Sequence, residues 1–250
     1  MKVALCLHGY FNSFTDSTSK GEDGFKHLQE HVFSKCDPDV YIHSWDLQNK
    51  DIILDLYKDY IVDSHFEEPI DFSDQVKENN LHLLPKTPGY VPPETIFSHM
   101  YSIQKSFEFQ ELKDRDYDVV IKSRFDVGRI NRNSTGPGST NPYPVQCINF
   151  DPSLPMDKLY MANWQAEYLK NEGPADMWFY SSKEKMLKFS NIYSIIKRDM
   201  VVDPNTHTSD FLHWAGTLSN GMINTIKTFK WFFIKTNLWE NKGLLETTWE

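Results

Sequence analysis

A chain of 250 residues with 40% hydrophobic content carries enough apolar mass to bury a core of its own. Its 26 Lys and Arg against 35 Asp and Glu leave a formal charge of −9 at pH 7, no basic field with which to hold a nucleic-acid backbone or an anionic membrane. The apolar run over residues 3–7 is too short for a secretory leader, and no window approaches the ~20 apolar residues of a membrane helix. Cys6, Cys36 and Cys147 are odd in number and far apart, giving neither a disulfide framework nor a metal half-site. Together these features predict a soluble, cytoplasmic protein of one domain over 1–250 that contacts no nucleic acid and has no membrane span.

Residues 2–7 are continuously apolar and end in His8-Gly9-Tyr10, the pattern of a buried parallel strand that stops at a turn. Phe25, Leu28 and Val32 at helical spacing predict a helix over 24–34. The unit repeats as a β-branched, aromatic strand over 39–45, a helix over 50–57 with Ile52, Ile53 and Leu56 on one side, and a short strand over 60–62. Such alternation demands βαβ crossovers and hence an α/β, mostly parallel sheet flanked by helices. Residues 63–93, punctuated by Pro69, Pro85, Pro88, Pro92 and Pro93, predict a long surface excursion.

A helix over 94–112 follows, with Phe97, Met100, Tyr101, Phe107 and Leu112 in register and Ser98, Ser102 and Lys105 on the opposite side. Residues 117–122 form the strongest strand and run straight into Ser123-Arg124-Phe125-Asp126. The Gly-, Pro-, Asn- and Ser-rich stretch 128–145 predicts a loop over that strand end. Strands over 158–162 and 177–181, a helix over 182–197, a helix over 209–218 and strands over 222–226 and 230–234 complete the chain.

Several motifs fail on their own chemistry. Thr217-Leu218-Ser219-Asn220-Gly221 lies one substitution from a nucleophile elbow, but no His follows Ser219 to serve as its base. His27 and His31 in His-Leu-Gln-Glu-His stand one helical turn apart, as two zinc ligands would, yet also as the flank of an ordinary amphipathic helix. No P-loop and no Gly-x-Gly-x-x-Gly after a strand is present, so an ATPase or a nicotinamide enzyme loses its main support.

Asp126 is the first candidate for chemistry, because a carboxylate just past an apolar strand of an α/β sheet projects into the crevice where such folds bind ligands. Mg²⁺ or Mn²⁺ is shared between one or two carboxylates and the oxygens of a diphosphate, so Asp126 with a nucleotide diphosphate completes one shell.

Four stretches resemble the small GT-A-type glycosyltransferases of large viruses, phages and bacterial surface-glycan loci. They are the strand end His8-Gly9-Tyr10-Phe11, the strand end Ile42-His43-Ser44-Trp45-Asp46, the helix segment from Ser98 to Lys105, and the strand with its exit from Tyr117 to Val127, followed by a more diffuse segment from Asp176 to Ser182. The resemblance implies a GT-A-like Rossmann-type sheet, with residues 1–127 binding the nucleotide and 128–250 the acceptor. It implies transfer of a hexose or pentose from a UDP- or GDP-linked donor to a glycan or other hydroxyl acceptor. Asp126 stands where the family's Asp-x-Asp motif meets Mn²⁺ or Mg²⁺ and the sugar nucleotide, but Arg124 takes the place of the first Asp.

By the same resemblance, His8, Gly9, Tyr10, Phe11 and Trp45, with Asp46, line the base pocket, and Ser98, Ser102 and Lys105 approach the nucleotide. Lys122 and Arg124 help neutralise the diphosphate. Asp176 orients or deprotonates the acceptor, and His207, with Asp210, is a second candidate for a late metal ligand or base. Each has a plain structural alternative: a turn cap for Asp126 and Asp176, a surface ion pair for Arg124, a solvated helix face for the Ser98 to Lys105 set, and core packing for the aromatics. The alternative at the level of function is a non-catalytic carbohydrate- or nucleotide-binding protein on the same scaffold.

Overall fold

A computed structural model describes residues 1–12, 21–84, 91–128, 130–131, 143–144, 147–162, 176–205, 225–238 and 242–245. In chain order these form β1 (Val3–Gly9), α1 (Gly21–Leu28) running on into a π-helical turn (Gln29–Phe33), β2 (Asp39–Ser44), α2 (Lys50–Tyr57), β3 (Ile61–Phe66) and α3 (Ser73–Glu78). A 3-10 turn (Leu81–Leu83), α4 (Pro93–Lys105), α5 (Gln110–Asp114) and β4 (Val119–Arg124) follow. Beyond them lie β5 (Ile130–Asn131), β6 (Tyr143–Pro144), β7 (Leu159–Ala162), β8 (Trp178–Ser181), α6 (Lys183–Phe189), α7 (Ile192–Asp199), α8 (Thr225–Lys235) and β9 (Lys242–Leu245).

One sheet runs in the order β3-β2-β1-β4-β8-β7-β9, and β5 pairs with β6 apart from it. β1 lies parallel to both β2 and β4, and β2 parallel to β3. β8 is antiparallel to β4 and to β7, whereas β9 is parallel to β7. The mixed, mostly parallel sheet expected from the strand–helix alternation is therefore present. Both faces are covered, which is why the opening strands read as unbroken apolar runs. Ala4, Cys6, Tyr41 and Val120 pack with the α3, α4 and α6–α8 side, and Val3, Leu5, Val40 and Ile121 with Phe25 and Leu28 of α1 and Tyr57 of α2.

The chain departs from the sequence expectations in several places. The helix expected over 94–112 is two, because Ser106 turns its hydroxyl back onto the Ile103 carbonyl (2.7 Å) and the chain then drops Phe107 against Phe189. That over 182–197 breaks likewise where Ser190 Oγ donates to the Leu187 carbonyl (2.8 Å). The excursion over 63–93 holds the end of β3, α3 and the 3-10 turn. The Asn79 side-chain amide fastens that segment by donating to the carbonyls of Lys197 (2.8 Å) and Met200 (2.9 Å). Residues 225–226 and 230–234, expected in two strands, belong to one helix, α8, and residues 222–224 of the first expected strand lie outside the described residues. Phe229, Phe232 and Phe233 sit at helical spacing and bury against Phe189, so tertiary packing overrides the aromatic β-preference of that stretch. The helix expected over 209–218 lies outside the described residues.

α1 is pressed onto the turn that follows β4. A Cβ on Gly24 would lie 1.8 Å from the Phe125 carbonyl oxygen, and Gly128 at φ +68° completes the turn against the His27 ring. Gly24→Ala must therefore push the helix off the turn that carries Asp126. Overpacking of this kind costs about 1–3 kcal/mol, more than the helix-propensity gain of about 1 kcal/mol. Urea unfolding should show the loss as a lower midpoint.

His27 is buried on the same helix, and its Nε2 accepts the Ile148 N–H at 3.0 Å. Burial, then the neighbouring His31, lowers its pKa to about 4. A folded-state value below the unfolded value of about 6.5 means that the unfolded chain binds the extra proton between those limits. Stability should thus fall as pH drops from about 6.5 to about 4, by about 3 kcal/mol. The pH dependence of the urea midpoint measures this: His27→Gln, whose amide oxygen can still accept from Ile148, should remove about that much of the loss and leave the part that the buried His8, His43 and His99 contribute.

Candidate functional site

Strand connectivity runs outward from β1 to β2 and β3, then returns to the other side of β1 with β4. The reversal opens a crevice at the C-terminal ends of β1 and β4, where open α/β sheets bind ligands. The register places four polar residues in one row across those ends. His65 pairs with His43, His43 with His8, and His8 with Arg124. The row lies beneath α4. Ser102 Oγ accepts the Gly9 N–H (3.0 Å) and lies 2.8 Å from His43 Nδ1. The His99 ring meets His8 edge-on at 5.1 Å.

At the inner end of the row is an ionic centre. The Arg124 guanidinium donates from Nε to Asp126 Oδ1 and from Nη2 to Asp126 Oδ2, each at 2.9 Å, and from Nη1 to Asp176 Oδ2 at 3.4 Å. Asp126 sits on the turn just past β4, and Asp176 arrives beside Arg124 because β8 is the antiparallel neighbour of β4 and Arg124 N–H donates to the Met177 carbonyl (3.1 Å). His99 Nε2 lies 3.6 Å from Asp176 Oδ2. Lys122 is wholly buried, donates to the Asp176 carbonyl, and lies 5.0 Å over the Phe179 ring and 5.6 Å over that of Phe229.

The charges of this centre follow from burial and pairing. Burial lowers the Lys122 pKa to about 7, partly opposed by Asp176. Burial holds His99 at about 3 and His8 well below the ordinary histidine value, so both rings are neutral near pH 7. Burial lifts the Asp176 carboxyl, but Arg124, His99 and Lys122 outweigh it and leave the group below the usual carboxylate range. Arg124 is raised: burial opposes its charge, and the two carboxylates more than restore it. One guanidinium thus serves two acidic side chains. Both His8 ring nitrogens are buried with no hydrogen-bond partner among the described residues, as is His99 Nε2.

The other residues singled out from the sequence are placed as follows. Gly9 adopts φ +94°, a conformation that favours glycine, at the mouth of the crevice. Tyr10 follows it, partly exposed. Phe11 is buried against Phe125 (ring centroids 5.9 Å) and belongs to the core, so its ring has no open face. Trp45 is buried, stacked on Tyr101 at 5.4 Å. Asp46 accepts from the Asn49 side chain (2.8 and 2.9 Å) at the start of α2.

Ser98 is partly exposed on α4, while Ser102 is buried in the tether described above. Lys105 pairs with Glu108 (2.6 Å) and lines a separate cavity of about 520 Å³ with Tyr101, Tyr193, Lys197 and Arg198. Asp126, Asp176, Lys122, Arg124 and His8 are therefore brought together, and Lys105 and Phe11 are not. His207 and Asp210 lie outside the described residues. The His27 and His31 rings do lie side by side (4.3 Å), but His27 Nε2 is taken by the Ile148 N–H, which fits a structural role and not a zinc pair.

Four residues at the site have no role assigned from the sequence: His43 and His99, which lie within the strand-end and helix segments named above, and His65 and Glu67. The signal for His43 and His65 was there, since each lies near the C-terminal end of a strand, as His8 does. His43, His65 and Glu67 bring their ligand atoms within 4.8 Å of one another and could hold a metal ion. Among the described residues, no helix is long and apolar enough to cross a membrane.

No protein-family model matches the chain, and no curated protein matches it. Its fold is similar to that of mouse xyloside xylosyltransferase 1 in the apo form, at 12% sequence identity over 100% of this chain and 87% of that one, with a TM-score of 0.44.

Proposed function

We propose that the chain is a glycosyltransferase that moves a hexose or pentose from a UDP- or GDP-linked donor to a hydroxyl of a glycan or other acceptor. The observation that carries this reading is the pair of carboxylates, Asp126 and Asp176, held by one guanidinium at the switch point of the sheet. The likeness of the Tyr117 to Val127 stretch to GT-A-type enzymes supports it.

In this reading the donor diphosphate lies at the ends of β1 and β4. Gly9 lets it approach the backbone, and Arg124 offers charge-assisted hydrogen bonds to phosphate oxygens. The donor set beside Arg124 fits a hard divalent ion, because carboxylate oxygens are what Mg²⁺ and Mn²⁺ take. Asp126 would hold that ion, which when bound would neutralise charge on the departing diphosphate. As the glycosyl carbon–oxygen bond to the diphosphate breaks and the bond to the acceptor oxygen forms, Asp176 orients the acceptor hydroxyl and takes its proton. Lys122 is a positioning residue, fixing the Asp176 backbone through its carbonyl.

A thermal-shift panel of UDP, GDP and their sugar conjugates with Mn²⁺, followed by assay of sugar-nucleotide hydrolysis, tests the assignment. At least one conjugate should both stabilise the protein and turn over, and EDTA should stop turnover. Asp126→Asn keeps the size of the side chain but replaces one of the two oxygens that accept from Arg124 with an NH₂ donor. It should lower kcat/KM by about 10²–10³-fold, measured well below the Tm of the variant, which should fall as well. Unchanged binding and turnover in this variant would refute the site. Stabilisation without turnover would identify a nucleotide-binding protein, and a response to free glycans alone a lectin.

A further inference from the structure

The outer end of the polar row is a different chemical object from its inner end. β3 is the edge strand of the sheet, hydrogen-bonded to β2 and, among the described residues, to no strand on its far side. His65 on β3 is the register partner of His43 on β2, and the two rings stack at 5.7 Å. Glu67 lies two residues past His65 and so returns to the same side. Its backbone N–H continues the ladder by donating to the Ser44 carbonyl (3.2 Å). The carboxylate spans both rings, with Oε1 2.8 Å from His43 Nε2 and Oε2 3.5 Å from His65 Nε2.

We infer that His43, His65 and Glu67 bind one Zn²⁺ ion, which clips the edge strand β3 to β2 and keeps a fourth coordination position open. Three features of the geometry support this and none depends on the glycosyltransferase reading. First, two imidazoles and a carboxylate are the ligand types of zinc sites with three protein ligands, and imidazole nitrogen selects zinc over Mg²⁺ or Mn²⁺. Second, the ligand atoms all lie within 4.8 Å of one another. Around a tetrahedral ion with bonds of about 2.0–2.1 Å they would lie about 3.4 Å apart, so the set closes by a small turn of the half-exposed His65 ring.

Third, the far side of the buried ligand is already held. His43 Nδ1 lies 2.8 Å from Ser102 Oγ, an outer partner that fixes the ring and aims Nε2 at the cluster. Ser102 is in turn fixed by the Gly9 N–H. His43 is wholly buried whereas His65 and Glu67 reach solvent, which gives the ion an inner anchor and an entry path.

The full chain, stripped with EDTA and titrated with ZnCl₂ by calorimetry, should bind one ion at this site. Its Tm should rise by on the order of 5 °C at a hundredfold excess over Kd. His65→Ala and Glu67→Gln alter side chains at the solvent edge, and each should abolish that stoichiometric binding and the Tm shift. His31→Ala should leave both unchanged, and excess MgCl₂ should not compete. Cobalt(II) in place of zinc should give the visible absorption of a tetrahedral ion in the wild type and lose it in His65→Ala. Absence of stoichiometric zinc in the wild type, survival of binding in both His65→Ala and Glu67→Gln, or its loss in His31→Ala would each overturn the assignment.

Discussion

Arg124 is the residue on which the candidate site turns. Two of its nitrogens face one carboxylate in parallel at 2.9 Å, and a third reaches another. The bidentate half fixes the turn after β4, since Asp126 follows Arg124 by two residues and cannot be gripped this way unless the chain bends between them. The other half fixes the approach of the segment before β8. A guanidinium is suited to both tasks because its fork is planar and it keeps its charge when partly buried. Removing either carboxylate leaves an under-paired cation, and at Asp126 even an isosteric amide gives up one of the two acceptors that Arg124 uses.

Beside Arg124 the buried groups carry less charge. Burial keeps His8 and His99 neutral, and Lys122 on β4 is lowered to about 7 while lying over aromatic rings and donating to a backbone carbonyl. A buried imidazole such as His8, with no partner on either nitrogen among the described residues, costs free energy that a core leucine would not. The position of His8, at the exit of the central strand and beside an ionic centre, is where such a cost has a functional explanation in ligand contact.

How much of this could be read from the chain depends on whether the information was local. β1, β2 and the Arg124-Phe125-Asp126 exit were legible because period and strand end lie within a few residues. β4 is Val119–Arg124, two residues closer to Asp126 than the 117–122 expected. Asp176 could be suspected but not joined to Arg124, for 52 residues separate them and only the antiparallel β4–β8 pairing unites them. His43, His65 and Glu67 required the register of two strands at once. α8 was misread as strand because aromatic content outweighed spacing in a short window, and its aromatic neighbours come from distant elements.

The two ends of the row share one support. Ser102 on α4 accepts from the Gly9 backbone and contacts His43, so a single hydroxyl couples the exit of β1 to the histidine cluster on β2 and β3. Trp45 and Tyr101 stack beside it, and Tyr101 and Trp45 both meet the His43 ring edge-on. Anything that orders His43 therefore orders the donor that Gly9 presents to Ser102, and with it the positive-φ turn at the mouth of the crevice. α4 acts as the common wall against which both the ionic centre and the edge-strand cluster are set. The physical consequence is that rigidity at the sheet edge and geometry at the crevice are one property of this helix–sheet contact, carried by a hydroxyl that accepts from the Gly9 N–H and donates its own proton to His43 Nδ1, the ring proton lying on Nε2 toward Glu67.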